Sequence, residues 1–384
     1  RLARLRLNPP PPVSAGLAGL EAASGLHKCL LEFAPCHAAK VRMYLSAVGP
    51  DSVYMQRALD LAAQGTGFTF PNPVVGAVLV HEGRILAEGY HHRAGEPHAE
   101  IMALRAVRAD DVPLLPHSTL YVTLEPCSHH GRTGPCSQAL VDHRIGRVVV
   151  AVADPNPMVS GRGIAQLRAA GCQVEVGVES ARAEALNRSF LYSMRQGRPW
   201  IVLKWAEDAQ GQIDAPRSAE HPGPWAVTGP EAQIWSHRLR QTCGALLVGA
   251  GTWLADRTQG TLRAVAGPEI ARILWAARPL DAEDLERALS EGWQLWTPGP
   301  HETAAEALPR LLASSGLRCV LVEGGAKTLT LLDSLGLWNE AYRWTAAHRL
   351  PPNGVRAPKL GADWAPWGRY GADELHHALN VKNA

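Results

Sequence analysis

No apolar run in this chain approaches the about 18 residues that a membrane-spanning helix needs. Net charge is equally scarce. The 384 residues carry a formal +2 at pH 7 and show no basic stripe interleaved with aromatics, so a nucleic-acid footprint has no support. Charged residues make up 19% against 46% apolar, which excludes the composition of a disordered chain. An even set of cysteines is also missing. There are seven, and Cys29, Cys36, Cys172, Cys243 and Cys319 are scattered, which argues for a reducing compartment over a disulfide framework. The cytoplasm is the expected location.

Acidic residues are absent before Glu21, and the chain begins at Arg1 with an Arg-rich stretch and prolines at 9–12. Residues 1–50 read as an extension, unstructured or not native, with Met43 or Met55 as candidate starts. A transit peptide, typically Arg-rich and acid-poor, is the alternative and would place the chain in a plastid. His27, Cys29, Cys36 and His37 lack adjoining apolar periodicity and are not expected to form a metal site.

What the chain does have is Pro97-His98-Ala99-Glu100, followed across an apolar strand by Pro126-Cys127 and then by Cys136. One imidazole and two thiolates suit a catalytic zinc that keeps its fourth tetrahedral position for water. Glu100 adds a carboxylate to move protons. An H-x-E with a later P-C-x-x-C marks zinc deaminases acting on amino-substituted heterocycles; here the second cysteine stands much further on. Pro97 and the run Ile101-Met102-Ala103-Leu104 place His98 and Glu100 in a first helical turn, where both can point forward. Cys136 opens another helical run, and helix N-termini favour thiolate over thiol. A lone His-x-Glu is common on solvated helices and cysteines are often simply buried, but the joint spacing, each cysteine following a proline, points to zinc. A closed structural site stays open as an alternative, since His129 or His130 could complete the tetrahedron.

The length suggests two or three domains. Periodicity predicts helices over 55–63, 137–142, 161–170 and 181–194, strands over 74–80, 84–89, 118–124, 147–153 and 173–177, and a turn at Glu82-Gly83. Strands alternating with helices give a layered α/β domain over 51–196. Gln196-Gly197-Arg198-Pro199 marks its end. A second domain, 197–384, opens with a buried strand carrying Lys204. Two more strands run into glycine loops, over 245–252 and 319–328, each followed by helical sequence. Such loops let main-chain amides approach a phosphate, although a tight turn is the more frequent reason for them.

Residues 54–62, Pro71-Asn72-Pro73, Gly89-Tyr90-His91, Gly95-Glu96-Pro97-His98-Ala99-Glu100 and the run Leu124-Glu125-Pro126-Cys127-Ser128-His129-His130-Gly131-Arg132-Thr133-Gly134-Pro135-Cys136 resemble the bifunctional deaminase/reductase of the riboflavin pathway. The long loop between the cysteines separates that family from cytidine and tRNA-adenosine deaminases. The resemblance implies a cytidine-deaminase-like three-layer α/β/α domain followed by a dihydrofolate-reductase-like α/β domain. It implies hydrolytic deamination of 2,5-diamino-6-(5-phosphoribosylamino)pyrimidin-4(3H)-one to 5-amino-6-(5-phosphoribosylamino)uracil, then NADPH-dependent reduction of the ribosyl group to ribityl. One zinc per chain would sit on His98, Cys127 and Cys136, with Glu100 catalytic and Asn72, His91, His129 and Arg132 on the substrate. An asparagine amide suits a pyrimidinone edge, and an arginine with a histidine suits a phosphate. In the second domain the resemblance implies Lys204, Arg263 and Glu323 near substrate and Thr252, Gly324, Gly325, Ala326, Lys327 and Thr328 near NADPH. The implied partners are small phosphoribosyl pyrimidines and further copies of the chain, with neither nucleic acid nor membrane.

The second domain departs from the family pattern. Gln210 precedes Gly211 where the family has aspartate, Arg257-Thr258 follow Asp256 in place of Asp-Pro, and Gln233 and Ile234 stand where an arginine is expected. The 271–279 segment lacks the usual aspartate at its strand end. Arg257 either removes a carboxylate that accepts hydrogen bonds or grips the 2′-phosphate of NADPH. The chain is therefore expected to be a bifunctional enzyme, with two alternatives: a deaminase with a degenerate binding or dimerisation module, and a zinc-stabilised binding protein.

Overall fold

Two sheets organise the chain, one drawn from residues 76–176 and the other from 200–379. The computed structural model describes residues 49–128, 134–156 and 159–381. Helix α1 (Pro50–Ala63) begins ahead of the expected 55–63, since proline at the first helical position gives up an N–H that has no intrahelical partner anyway. Strands β1 (Gly76–His81) and β2 (Arg84–Tyr90) pair antiparallel across Glu82 and Gly83, both at positive φ. β3 (Thr119–Val122), β4 (Arg147–Val150) and β5 (Gln173–Val176) run parallel to one another, and the order is β2-β1-β3-β4-β5.

Both faces of this sheet are covered, which is why its inner strands read as continuous apolar runs. Leu79, Leu120, Val122, Val148 and Val150 pack on one side under α2 (Ala99–Arg105), α3 (Cys136–Asp142) and α4 (Arg162–Ala169). Val78, Val80, Tyr121 and Val149 pack on the other with α1, α5 (Ser180–Leu186) and α6 (Arg188–Gln196). The result is a three-layer α/β/α unit. The single helix expected over 181–194 is broken at Asn187, whose side chain is drawn to the main chain of Val74.

The second sheet has the order β10-β9-β8-β11-β6-β12-β15-β14. β6 (Trp200–Glu207), β8 (Ala245–Gly249), β9 (Ala271–Trp275), β10 (Gln294–Trp296), β11 (Cys319–Glu323) and β12 (Glu340–Thr345) are parallel, while β15 (Asp373–Leu379) and β14 (Ala365–Tyr370) close one edge antiparallel. β7 (Gln212–Asp214) and β13 (Val355–Arg356) form a small ribbon apart. One face packs on α7 (Pro230–Cys243), α8 (Ala250–Asp256) and α9 (Ala282–Ser290), the other on α10 (Ala304–Ser314) and α11 (Ala326–Ser334). β8 and β11 are neighbours, so the glycine loops at their carboxyl ends lie side by side, where open α/β sheets bind ligands. Among the described residues, no helix is long and apolar enough to cross a membrane.

Candidate active site

His98 caps the N-terminus of α2 with extended backbone (φ −71°, ψ 164°), and Glu100 lies in the first turn. The first-turn placement expected from Pro97 is what lets both side chains reach one cavity. α2 rests directly on β2: a Cβ on Gly89 would come within 2.4 Å of the Ala103 nitrogen, so any other residue there displaces the helix that carries both groups. Cys136 is the first residue of α3, behind Pro135, and Cys127 lies beyond the end of β3.

These three residues converge. The Sγ atoms of Cys127 and Cys136 stand 3.6 and 3.4 Å from His98 Nδ1, and all three ligand atoms lie within 4.8 Å of one another. Donors at 2.0–2.3 Å around one tetrahedral ion would be separated by roughly 3.5–3.8 Å, so the set fits zinc. The hydrogen bond from Cys136 pulls the Cys127 thiol far below its usual range, and the same bond holds Cys136 up. Two thiols sharing one proton in this way are what a divalent cation resolves, because it keeps both as thiolates. His98 is shifted upward, chiefly by its hydrogen bond to Cys127. Glu100 is buried, and burial pushes its carboxyl up to about 7 against the opposing charge of His98. Near neutrality it can therefore take up and release a proton at little cost.

A second pair sits beside the first. His91 Nδ1 faces the Pro97 carbonyl at 3.2 Å, so that nitrogen carries the proton and Nε2 accepts from Asn72 Nδ2, also at 3.2 Å. Burial lowers the His91 pKa, which keeps the ring neutral and the tautomer fixed. Asn72, His91, His98, Glu100 and Cys127 line one cavity of about 250 Å³, close to the lower bound of small-molecule sites. His129 and Arg132, expected on substrate, lie outside the described residues, as does His130, the other candidate fourth ligand.

Two supporting residues escaped the sequence reading. Glu125 accepts main-chain hydrogen bonds from Asp154, Gly161, Gly163 and Ile164 at 3.1–3.3 Å, tying these four residues to the strand end beside the cavity. Its signals were a carboxylate at the end of an otherwise apolar strand and its place in the Leu124–Cys136 run, neither of which gave it a role. Asn187 fixes Val74, two residues beyond Asn72, and nothing in the periodicity marks it.

The second sheet gathers most of its expected residues. Lys204 lies 3.6 Å from Glu323 Oε1, too far for a hydrogen bond, while Arg240 binds Oε2 through Nε at 2.9 Å. Glu323 Oε1 is buried without a donor. Burial lowers the Lys204 pKa; it would raise that of Glu323, but Lys204 and Arg240 together bring it below the usual value. Arg240, on α7, was not foreseen. His237 is buried with Nδ1 unpartnered, its pKa driven down to about 4 by burial and by Arg240 and Arg263. Arg263 itself is exposed. At the paired loops, Gly325 donates its amide to Thr252 Oγ1 at 2.7 Å, and a Cβ on Gly249 would meet Thr328 Oγ1 at 2.4 Å. Gly324, Gly325, Ala326 and Thr328 are at least partly buried here, and Lys327 is exposed. Arg257 is an exposed helix cap at φ 51°.

The family model for the cytidine and deoxycytidylate deaminase zinc-binding region matches residues 49–152. The riboflavin biosynthesis protein RibD of Bacillus amyloliquefaciens is 33% identical over 334 residues, 81% of this chain and 87% of that protein. RibD of Aquifex aeolicus is 45% identical over 215 residues, 56% of this chain, and there the chain spans only 58% of its relative's length. Among solved structures, a diaminohydroxyphosphoribosylaminopyrimidine deaminase/5-amino-6-(5-phosphoribosylamino)uracil reductase from Thermotoga maritima matches with a TM-score of 0.74 at 29% identity, over 86% of this chain and 98% of that one.

Proposed function

This chain belongs to the family of the riboflavin biosynthesis protein RibD, and on that premise we propose that it is a bifunctional enzyme. Its first unit, 51–196, hydrolytically deaminates 2,5-diamino-6-(5-phosphoribosylamino)pyrimidin-4(3H)-one, and its second, 197–384, reduces the ribosyl group of the product to ribityl with NADPH. The observation that carries the reading is the convergence of His98, Cys127 and Cys136 within 4.8 Å beside a buried Glu100.

A zinc ion held by those three residues would supply a field that lowers the pKa of water from about 16 to about 7. Glu100, poised near 7, carries one proton of the attacking water to the ring nitrogen and then the second, from the hydroxyl left on the ring carbon, to the departing ammonia as the carbonyl forms. Asn72 spends its Nδ2 on His91 and keeps its amide oxygen for a ring N–H. His129 and Arg132 hold the phosphoribosyl tail.

Reduction of the ribosyl carbonyl-equivalent needs a hydride, which NADPH brings when bound, and a proton. Lys204 Nζ, its proton affinity reduced by burial, is suited to give that proton, and Glu323 Oε1 offers an acceptor to a sugar hydroxyl. Arg263 contacts the substrate. Thr252, Gly324, Gly325, Ala326, Lys327 and Thr328 hold the nicotinamide cofactor at the paired loops. The chain acts on small molecules in the cytoplasm as a homo-oligomer. Elemental analysis, ammonia release and NADPH oxidation on the deaminated product test the whole reading. One zinc with both activities supports it. Ammonia without NADPH loss selects a degenerate second unit, and neither activity selects a binding protein.

A further inference from the structure

The cavity that holds Glu100 is not walled by the first sheet's own residues alone. Phe190 and Met194 of α6 line it, and so does Arg318, which immediately precedes β11 of the second sheet. Arg318 is fixed in place through its backbone, its carbonyl accepting from the Trp200 amide at 2.9 Å. Its side chain is another matter. The Nε is buried without a hydrogen-bond partner, and among the described residues Arg318 forms no ion pair, although the other cavity-lining groups include Glu125 and Asp154. Glu125 is occupied by four main-chain amides. A guanidinium whose position is set by the backbone, with a donor turned away from water and lacking an acceptor, is complete only when an anion arrives from outside.

We propose that Arg318 is a substrate-binding residue of the deaminase cavity, lent by the second sheet, and that it holds the phosphate of the phosphoribosyl tail. The inference rests on the deaminase reading given above. With the pyrimidine edge on Asn72 and Glu100, the tail must leave the ring along another wall, and Arg318 places a planar, permanently charged donor set there. Guanidinium geometry matches phosphate oxygens two at a time, which an ammonium cannot do. Arg318 would then add to His129 and Arg132, so that the deaminase unit alone binds its phosphorylated substrate less tightly, giving a physical reason for the two units to share one chain.

The test is ammonia release by the zinc-loaded full chain, comparing the phosphoribosyl aminopyrimidine with its dephosphorylated ribosyl counterpart. In Arg318→Ala, the KM for the phosphorylated substrate should rise about 10- to 100-fold with little change in kcat, the loss expected for a hydrogen bond to a charged group. The KM for the dephosphorylated compound should stay within about twofold. Arg318→Lys should recover part of the loss. NADPH oxidation on supplied product serves as the fold control, because Glu323 lies at the far end of β11 from Arg318. Where Arg318→Ala does not fold, Arg318→Gln, closer in shape, replaces it. An unchanged KM, or an equal rise for both substrates, overturns the proposal while leaving the deaminase reading intact. A wild-type chain that releases ammonia from neither compound overturns both.

Discussion

Asn187 closes both hydrogen bonds of the Val74 main chain, donating from Nδ2 to its carbonyl at 2.8 Å and accepting at Oδ1 from its amide at 2.9 Å. Val74 follows the Asn72-Pro73 segment, so this one side chain, buried where two helices meet, sets the height of the Asn72 amide over the cavity. Asn187→Ala leaves two buried main-chain groups without partners. The expected outcome is a loss of about 2–3 kcal/mol in urea unfolding and a raised KM for ammonia release with kcat nearly kept. A variant as stable as the parent would show that the clamp is dispensable. Asn187→Asp, which keeps the acceptor and loses the donor, should fall between the two.

Glu100→Gln removes a proton carrier without touching a ligand. It should retain one zinc per chain by elemental analysis and lose about 10²–10⁴-fold in ammonia release, the usual range for general acid–base catalysis. Cys136→Ser should instead lower the metal content itself, because only two of the three converging donors keep their chemistry. Full zinc in the serine variant would count against the ligand set, and near-normal ammonia release from the glutamine variant would remove Glu100 from its role.

Much of this was legible because it is local. Proline before His98 and an apolar run after Glu100 define a helix start, and a helix start turns residues two apart toward the same cavity. The strand periods were equally direct: β1, β3, β4, β6, β8 and β11 are buried on both faces and spell continuous apolar runs. What stayed hidden joins distant segments. Asn187 reaches across 113 residues to Val74, and Arg240 across 83 to Glu323, contacts that no periodicity encodes.

Arg240 gives the reductase reading its sharpest variant. Its guanidinium binds Glu323 Oε2 while Lys204 faces Oε1, so Arg240→Ala leaves the buried carboxylate to the lysine alone. NADPH oxidation should fall by about 10-fold or more, the consequence of stranding a buried charge-assisted bond, and ammonia release should be unaffected. Lys204→Ala should spare ammonia release in the same way. Loss of both activities in either variant would mean that the two sites do not operate independently.

Glu340 makes stability depend on acid. It is 2% exposed in β12 and gathers Arg188 from α6 at 2.6 Å, the Tyr342 hydroxyl at 2.6 Å and His377 Nε2 at 2.9 Å. Burial alone would raise its pKa, but the Arg188 charge and the hydrogen bonds from His377 and Tyr342 outweigh it and bring the carboxyl to about 2, from an ordinary 4.5. A folded-state pKa below the unfolded one means that the unfolded chain binds the proton more readily. The contribution is therefore complete above about 4.5 and disappears as pH falls through about 2, amounting to about 3 kcal/mol. Arg188 is partly exposed, so the figure rests on the burial of Glu340 itself. Urea midpoints measured from pH 6 down to pH 2 should decline for the parent chain. Glu340→Gln, less stable at pH 6, should decline by about 3 kcal/mol less over that interval; parallel curves for the two proteins would show that this carboxylate does not govern the acid response.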